Sequence, residues 1–291
     1  MRAEDFKAEN HAQKSHKVLT GLNKIDYFDQ FMESRKASNA SYGTLKYYSN
    51  KLKHFLAEIN PNTATQNDID KYLMQFSNVG NRHASFRAIR AFYKWREDMF
   101  DLPNPVTKMK APKLPKLIMP TLKLDEIIKL IDNAESLQEK AIIALLTESG
   151  MRLSELSHIK LSDINWSLHT IRVLGKGRKE RDVAFTQISG GYIKQWLNER
   201  QNNSESLWNL TDRGIEKALK RLEKKTGIRC NPHVFRRSFA TIMKSKGVDI
   251  SIIRQLGGWE SLAMVERYTR SFGFMDALKL YKSPLQDLTS I

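Results

Sequence analysis

Asn231-Pro232-His233-Val234-Phe235-Arg236-Arg237-Ser238-Phe239-Ala240-Thr241 has the signature of a helix start. Asparagine is a favoured N-cap, and proline suits the first helical position, where its missing N–H would have no intrahelical partner anyway. Gly247 supplies a stop. On this reading His233 and Arg236 lie three residues apart on one face of the first turn, beside free N–H groups and the positive end of the helix dipole. A phosphate is a natural guest there. Alone, a histidine and an arginine at this spacing more often serve surface or capping roles, so the pair gains meaning only from its surroundings.

Three other stretches supply those surroundings. Gly150-Met151-Arg152-Leu153-Ser154-Glu155-Leu156 follows an apolar helical segment at 139–148 and breaks it with a glycine. An arginine beside a glycine-permitted turn is placed to point inward; a helix-start arginine paired with Glu155 is the plainer reading. Residues 169–185 predict a β-hairpin, with strands at 170–174 and 181–185 around Gly175-Lys176-Gly177. Flanking glycines let the tip flex, so Lys176 can deliver a proton into a site, although most lysines at hairpin tips are simply solvated. Leu256-Gly257-Gly258-Trp259 is followed by Arg267-Tyr268. A tyrosine in such a place usually packs; it becomes a nucleophile only if its proton is removed and cations stabilise the phosphate it attacks.

The first third of the chain reads as all-helical. Leu45, Tyr48, Leu52, Phe55 and Ile59 recur at helical spacing, as do Phe86, Ile89 and Tyr93, and two more helices are predicted near 25–35 and 68–76. Arg87, Arg90 and Lys94 form a basic stripe beside the apolar one, either a solvated face or a DNA-contacting one. Residues 103–120 then hold five of the eight prolines, with Lys108, Lys110, Lys113 and Lys116 and no acid, which predicts an exposed linker. Its lysines either follow something negative or keep the segment solvated.

Bulk properties narrow the partner class. The 291 residues include 48 Lys and Arg against 32 Asp and Glu, a formal net charge of +16 that suits a polyanion. Cys230 is the single cysteine, so an internal disulfide and a thiolate zinc cluster are both excluded. No apolar run approaches the ~20 residues that span a bilayer, and residues 1–17 are not of signal-peptide type. A cytoplasmic, DNA-associated protein with no membrane contact is expected.

Taken in order, Arg152, Lys176, His233, Arg236, Trp259 and Tyr268 resemble the signature of the tyrosine recombinases, the family of phage integrases and the Xer and Cre enzymes. The contexts are similar too. Gly-Met-Arg152-Leu-Ser-Glu-Leu is similar to the family's G-(L/M)-R-x-S-E-L, and Gly-Lys176-Gly-Arg-Lys-Glu-Arg to its GKGxKER hairpin. Pro-His233-Val-Phe-Arg236-Arg-Ser-Phe-Ala-Thr is similar to PHxLRHSFAT, and the stretch from Leu256 to Tyr268 to LGHxxxxxxxxY. The resemblance implies a mainly α protein with a small β-sheet, of the α+β class. A polar tail at 1–20 would precede a helical, SAM-like core-binding domain at 21–102. The basic linker at 103–120 and a catalytic domain with a C-terminal tail helix at 121–291 would follow. Three departures stand out. Trp259 stands where many relatives have histidine, although Cre-like members also use tryptophan; indole only donates, so it could bind or buttress a phosphate oxygen but not exchange protons. Arg237 replaces a common histidine and is expected to be structural or to touch backbone phosphate. Helical pattern begins by about Asn23, so the arm-binding domain of lambda-type integrases is not expected.

The resemblance also implies a chemistry. Tyr268 would attack the scissile phosphate and leave a 3′-phosphotyrosine and a free 5′-hydroxyl. Arg152 and Arg236 would clamp the non-bridging oxygens, Lys176 would protonate the leaving oxygen, and His233 would take the tyrosine proton or bind the phosphate. Glu155 would position its neighbours. No metal, ATP or other cofactor is expected. The apolar tail (Phe272, Phe274, Met275, Ala277, Leu278, Leu280, Tyr281) would dock on a neighbour in a homotetramer on double-stranded DNA, with accessory or directionality proteins as further partners. Two other functions fit parts of this pattern: a type IB topoisomerase relaxing DNA as a monomer, and a non-catalytic DNA-binding protein with the same fold.

Overall fold

The structure is a computed structural model that describes residues 24–115, 117–175, 179–201 and 203–282. The chain divides into two compact units, Met1–Lys116 and Leu117–Ile291. Among the described residues no helix is long and apolar enough to cross a membrane.

Among its described residues the first unit has four helices: α1 (Lys24–Ala37), α2 (Tyr42–Glu58), α3 (Gln66–Met74) and α4 (Val79–Phe100). Side-chain caps set three of their starts. Ser41 accepts from Thr44 N, Thr65 and Asp68 form a reciprocal capping box, and Asn78 accepts from Asn81 N. The core is aromatic: Phe31, Phe55, Phe86, Phe92 and Tyr93 are buried, and all but Phe86 meet one another edge to face. Arg96 lies among them. Its guanidinium stacks over Tyr27 at 4.6 Å and donates to the Pro61 carbonyl and to Asn62 Oδ1, so backbone and amide oxygens replace a carboxylate partner.

The expected exposed linker is corrected in its first half. Val106 and Met109 are buried in this core, and the His83 ring bonds the Pro112 carbonyl at 2.8 Å. Closely spaced prolines interrupt regular helix and strand but do not prevent neighbouring apolar side chains from packing. Lys108, Lys110 and Lys113 are exposed, and Lys116 lies outside the described residues.

The second unit is built around α6 (Leu137–Ser149), which follows α5 (Leu124–Asn133). Ala141 to Leu146 of α6 are all buried, as expected of a helix apolar all round. Next come α7 (Leu153–Ser157) and an antiparallel sheet in the order β1 (Ile164–Asn165), β2 (Thr170–Leu174), β3 (Glu180–Ala184). The predicted hairpin is present, with its second strand starting one residue earlier than expected; Val173 pairs with Arg181 and Leu174 with Glu180. The remaining helices are α8 (Gln187–Glu199), α9 (Asp212–Thr226), α10 (Pro232–Ser245), α11 (Ile250–Gly257), α12 (Leu262–Tyr268) and α13 (Phe274–Leu278). A smaller cluster of Phe239, Ala240, Ile253, Trp259 and Val265 joins α10, α11 and α12, with Tyr268 packed against it.

Candidate active site

The site forms where α6 ends against α10. Gly150 caps α6 at φ 56°, and a Cβ there would lie 2.6 Å from the Phe239 ring. Only glycine meets both conditions. The chain then turns into α7 with Arg152 as N-cap, while the buried Trp208 holds α7 from below by donating to the Leu156 carbonyl at 2.8 Å. On α10 the expected cap is present: Asn231 Oδ1 accepts from Val234 N at 3.0 Å, with Pro232 at the helix start.

Arg236 is 4% exposed. Nη1 donates to the Gly150 carbonyl, the guanidinium lies 4.3 Å from the centre of the Trp259 ring, and the buried Nη2 has no hydrogen-bond partner. Burial, then the nearby Arg152 and Arg181 cations, push its pKa down to about 10, which still leaves it charged at neutral pH. Arg152 is more open. Nη1 pairs with Glu155 Oε1 at 2.7 Å, and Nη2 donates to the Gly258 carbonyl at 3.3 Å. The helix-start pair and the inward-facing arginine, alternatives in the sequence, are one arrangement.

Glu155 is buried and accepts from Arg152 N at 2.7 Å and from Arg181 Nη2 at 2.9 Å. Burial pulls its pKa upward, but hydrogen bonds from Arg181 and Arg152 outweigh that and hold it below the ordinary value. His233 shares a cavity of about 60 Å3 with Arg152, Glu216 and Arg236. Burial, followed by the Arg237, Arg236 and Arg152 cations, lowers its pKa and keeps the imidazole neutral near pH 7.

Trp259 is 3% exposed, stacked on Phe239 and edge-on to Tyr268, with ring centroids 5.8 Å apart; its Nε1 has no partner. Tyr268 ends α12, half-buried, and its backbone carbonyl accepts from Thr241 Oγ1 of α10 at 3.3 Å. Arg152 thus pairs with Glu155, Arg236 and Tyr268 each meet the Trp259 ring, and His233 opens into the same cavity as the two arginines. Lys176 lies outside the described residues; at the hairpin base Gly175 N donates to the Lys179 carbonyl at 2.8 Å. Arg237 donates from Nε to the Pro120 carbonyl at 3.0 Å, so it holds the chain entering this unit. On α4, Arg87 and Arg90 are exposed, whereas Lys94 is engaged by Glu97 at 3.1 Å and Asp98 at 2.8 Å.

Sequence reading missed Arg181. Its signal was present: at spacing two it shares a face with Val183 on β3 and with Phe185 just beyond it, both buried, and so takes an inward position.

Two family models match. The phage integrase family model covers residues 120–273, and that for the phage integrase N-terminal SAM-like domain covers 27–99. The tyrosine recombinase XerA of Pyrococcus horikoshii is 30% identical over 259 residues, 84% of this chain and 89% of that one. XerC of Oceanobacillus iheyensis is 28% identical over 277 residues, 84% and 90% of the two chains. Among solved structures, lambda integrase as a dimer bound to a core site superposes with a TM-score of 0.73 at 16% identity, over 87% of this chain and 97% of that one. That likeness speaks for the fold alone. The family models and the XerA relative go further: the chain belongs to the phage integrase family of tyrosine recombinases.

Proposed function

We propose that this site-specific recombinase cuts and rejoins double-stranded DNA with Tyr268 as its nucleophile. The Tyr268 oxygen bonds to the scissile phosphorus, its proton passes to His233, and the bond from phosphorus to the 5′-oxygen breaks. Lys176 protonates that oxygen, giving a 3′-phosphotyrosine and a 5′-hydroxyl. Attack by a 5′-hydroxyl from the partner DNA reverses the step and frees the tyrosine. Arg152 and Arg236 hold the non-bridging oxygens as charge builds. The neutral state of His233 suits a proton acceptor.

The observation that carries this reading is the buried Arg236 Nη2, a charged donor without a partner, beside Arg152, His233 and Trp259. Such a group is costly unless an acceptor arrives, and a phosphate oxygen is the matching acceptor. The exposed apolar face of α13 and the residues after it, Phe274, Met275, Leu278 and Tyr281, supports docking on a neighbouring chain in a tetramer on DNA. Structures of lambda integrase on DNA, and as a tetramer on a Holliday junction, support the DNA partner and the tetramer, while the docking role of the tail rests on its exposed apolar face.

A nicked suicide duplex tests the chemistry, because the short fragment that carries the new 5′-hydroxyl leaves and traps the adduct. Wild type should form a covalent protein–DNA band and Tyr268→Phe none. A wild type without adduct, or an undiminished band with Tyr268→Phe, overturns the assignment.

A further inference from the structure

We propose that Arg181 is a positioning residue: through Glu155 it sets the orientation of Arg152 toward the phosphate without touching DNA itself. The inference rests on the reading of Arg152 as a phosphate clamp.

Each of the three Arg181 guanidinium nitrogens already has an acceptor. Nη2 donates to Glu155 Oε2 at 2.9 Å, Nε to Glu155 Oε1 at 3.4 Å, and Nη1 to the Leu256 carbonyl at 3.0 Å. Its side chain is 17% exposed, against 31% for Arg152. In this it differs from Arg236, which keeps a nitrogen free. Arg181 is therefore bonded to the protein through all three nitrogens, and its lower exposure leaves its remaining N–H groups less open to a phosphate than those of Arg152.

Glu155 links the two arginines. Oε1 is shared by Arg152 Nη1 and Arg181 Nε, and Oε2 by Arg152 N and Arg181 Nη2. One carboxylate, with no exposed side-chain surface, thus takes four donors, two to each oxygen. Such a carboxylate has no freedom to rotate, and the Arg152 Nη1 bonded to it is fixed in turn. Without Arg181, Glu155 would lose two of its four donors and could follow Arg152 wherever that side chain moved.

The other end of Arg181 is also fixed. Its Nη1 bonds the last turn of α11, and the turn packs directly on it: at Gly258, φ 63°, a Cβ would lie 2.6 Å from Arg181 Nε and 2.7 Å from Cδ. The same Gly258 offers its carbonyl to Arg152 Nη2. Arg152 is thus held at Nη1 by Glu155 and at Nη2 by the turn, and Arg181 braces both supports. A catalytic cation needs such bracing, since displacement of about 1 Å can cost about 100-fold in rate.

The test is a double-mutant cycle on the suicide duplex, with Arg152→Lys, Arg181→Gln and both together. Single-turnover adduct rates, DNA affinity and thermal melting are read on the same full-length samples. Arg181→Gln should slow adduct formation about 100-fold with affinity changed less than about twofold. In the Arg152→Lys background the same change should cost no more than about threefold, because the group it positions has gone. Arg181→Lys, which keeps the charge and a donor, should recover part of the rate, and it replaces the glutamine variant if that one does not melt cooperatively. Equal losses in both backgrounds, an unchanged rate, or a lost affinity with a shallower salt dependence would each overturn the positioning role. Failure of wild type to form an adduct, or adduct formation by Tyr268→Phe, would instead overturn the function proposed above.

Discussion

Arg236 is tied to Gly150 by one nitrogen, through the carbonyl that ends α6, and holds its other terminal nitrogen buried and unpartnered. The first contact fixes the guanidinium plane; the second nitrogen waits for an acceptor. An unsatisfied buried donor costs about 1–3 kcal/mol, more when charged, so the site is less stable empty than filled. Arg236→Lys keeps a positive charge but loses the planar fork. Adduct formation should fall about 100- to 1,000-fold, the scale for loss of one oriented transition-state donor, with a much smaller change in DNA affinity.

Gly150→Ala should be costlier than Gly227→Ala. Both positions have positive φ, 56° and 71°, so both incur the left-handed penalty of about 1–2 kcal/mol. Only Gly150 faces a neighbour, the Phe239 ring, whereas a Cβ at Gly227 meets open space. Thermal melting should show a larger fall for Gly150→Ala, and only that variant should also slow cleavage, because Phe239 stacks on Trp259. Equal melting shifts would mean that Phe239 yields freely.

Much of this arrangement was legible in the sequence, for a physical reason. The start of α10 follows from short-range capping chemistry at Asn231 and Pro232, and the hairpin from alternation around a glycine turn. What stayed hidden depends on long-range partners. Arg181 and Arg96 are charged residues in inward positions, and only the folded chain shows the oxygens and rings that accept them. The two-residue β1 exists only because Ile164 and Asn165 find β2. Val106 and Met109 sit in proline-rich sequence whose composition says linker, yet a core within reach claims them.

The pH profile should carry the signature of His233. Its pKa in the folded protein lies below the ordinary 6.5, so the neutral form dominates at pH 7. The sign follows: its contribution to stability is present above 6.5 and is lost as pH falls through the lowered value. Adduct formation should likewise be flat above neutrality and decline on the acid side, and His233→Gln should remove that decline along with most of the rate. An imidazole NMR titration of the free protein should give a midpoint below 6.5. Added DNA should raise it, because a phosphate offsets the arginine charges that lower it.

The basic stripe on α4 should not act evenly. Lys94 is already engaged by Glu97 and Asp98, whereas Arg90 is exposed and has neither acid. If the stripe meets DNA, Arg90→Ala should weaken binding and reduce the slope of log affinity against log salt by about 0.9. Lys94→Ala should change both less. Anisotropy titrations at several salt concentrations decide it, and equal effects would show that the ion pairs open on DNA.

Trp259 combines two roles that substitution can separate. Its ring packs between Phe239, Tyr268 and the Arg236 guanidinium, while Nε1 is buried with no acceptor. Packing needs an aromatic face; phosphate binding needs the N–H. Trp259→Phe keeps the first and deletes the second, and it also removes an unsatisfied buried donor, which limits the loss of stability. Trp259→His does the reverse, restoring a donor in a smaller ring and leaving a void beside Phe239. A hydrogen bond to a charged group is worth about 1.5–3 kcal/mol, so Trp259→Phe should slow adduct formation about 10- to 150-fold while melting close to wild type. Trp259→His should melt lower, yet react faster than Trp259→Phe at a temperature where both are folded. If Trp259→Phe reacts at the wild-type rate, the indole N–H never meets the phosphate, and the residue serves only to hold Arg236 and Tyr268 in place.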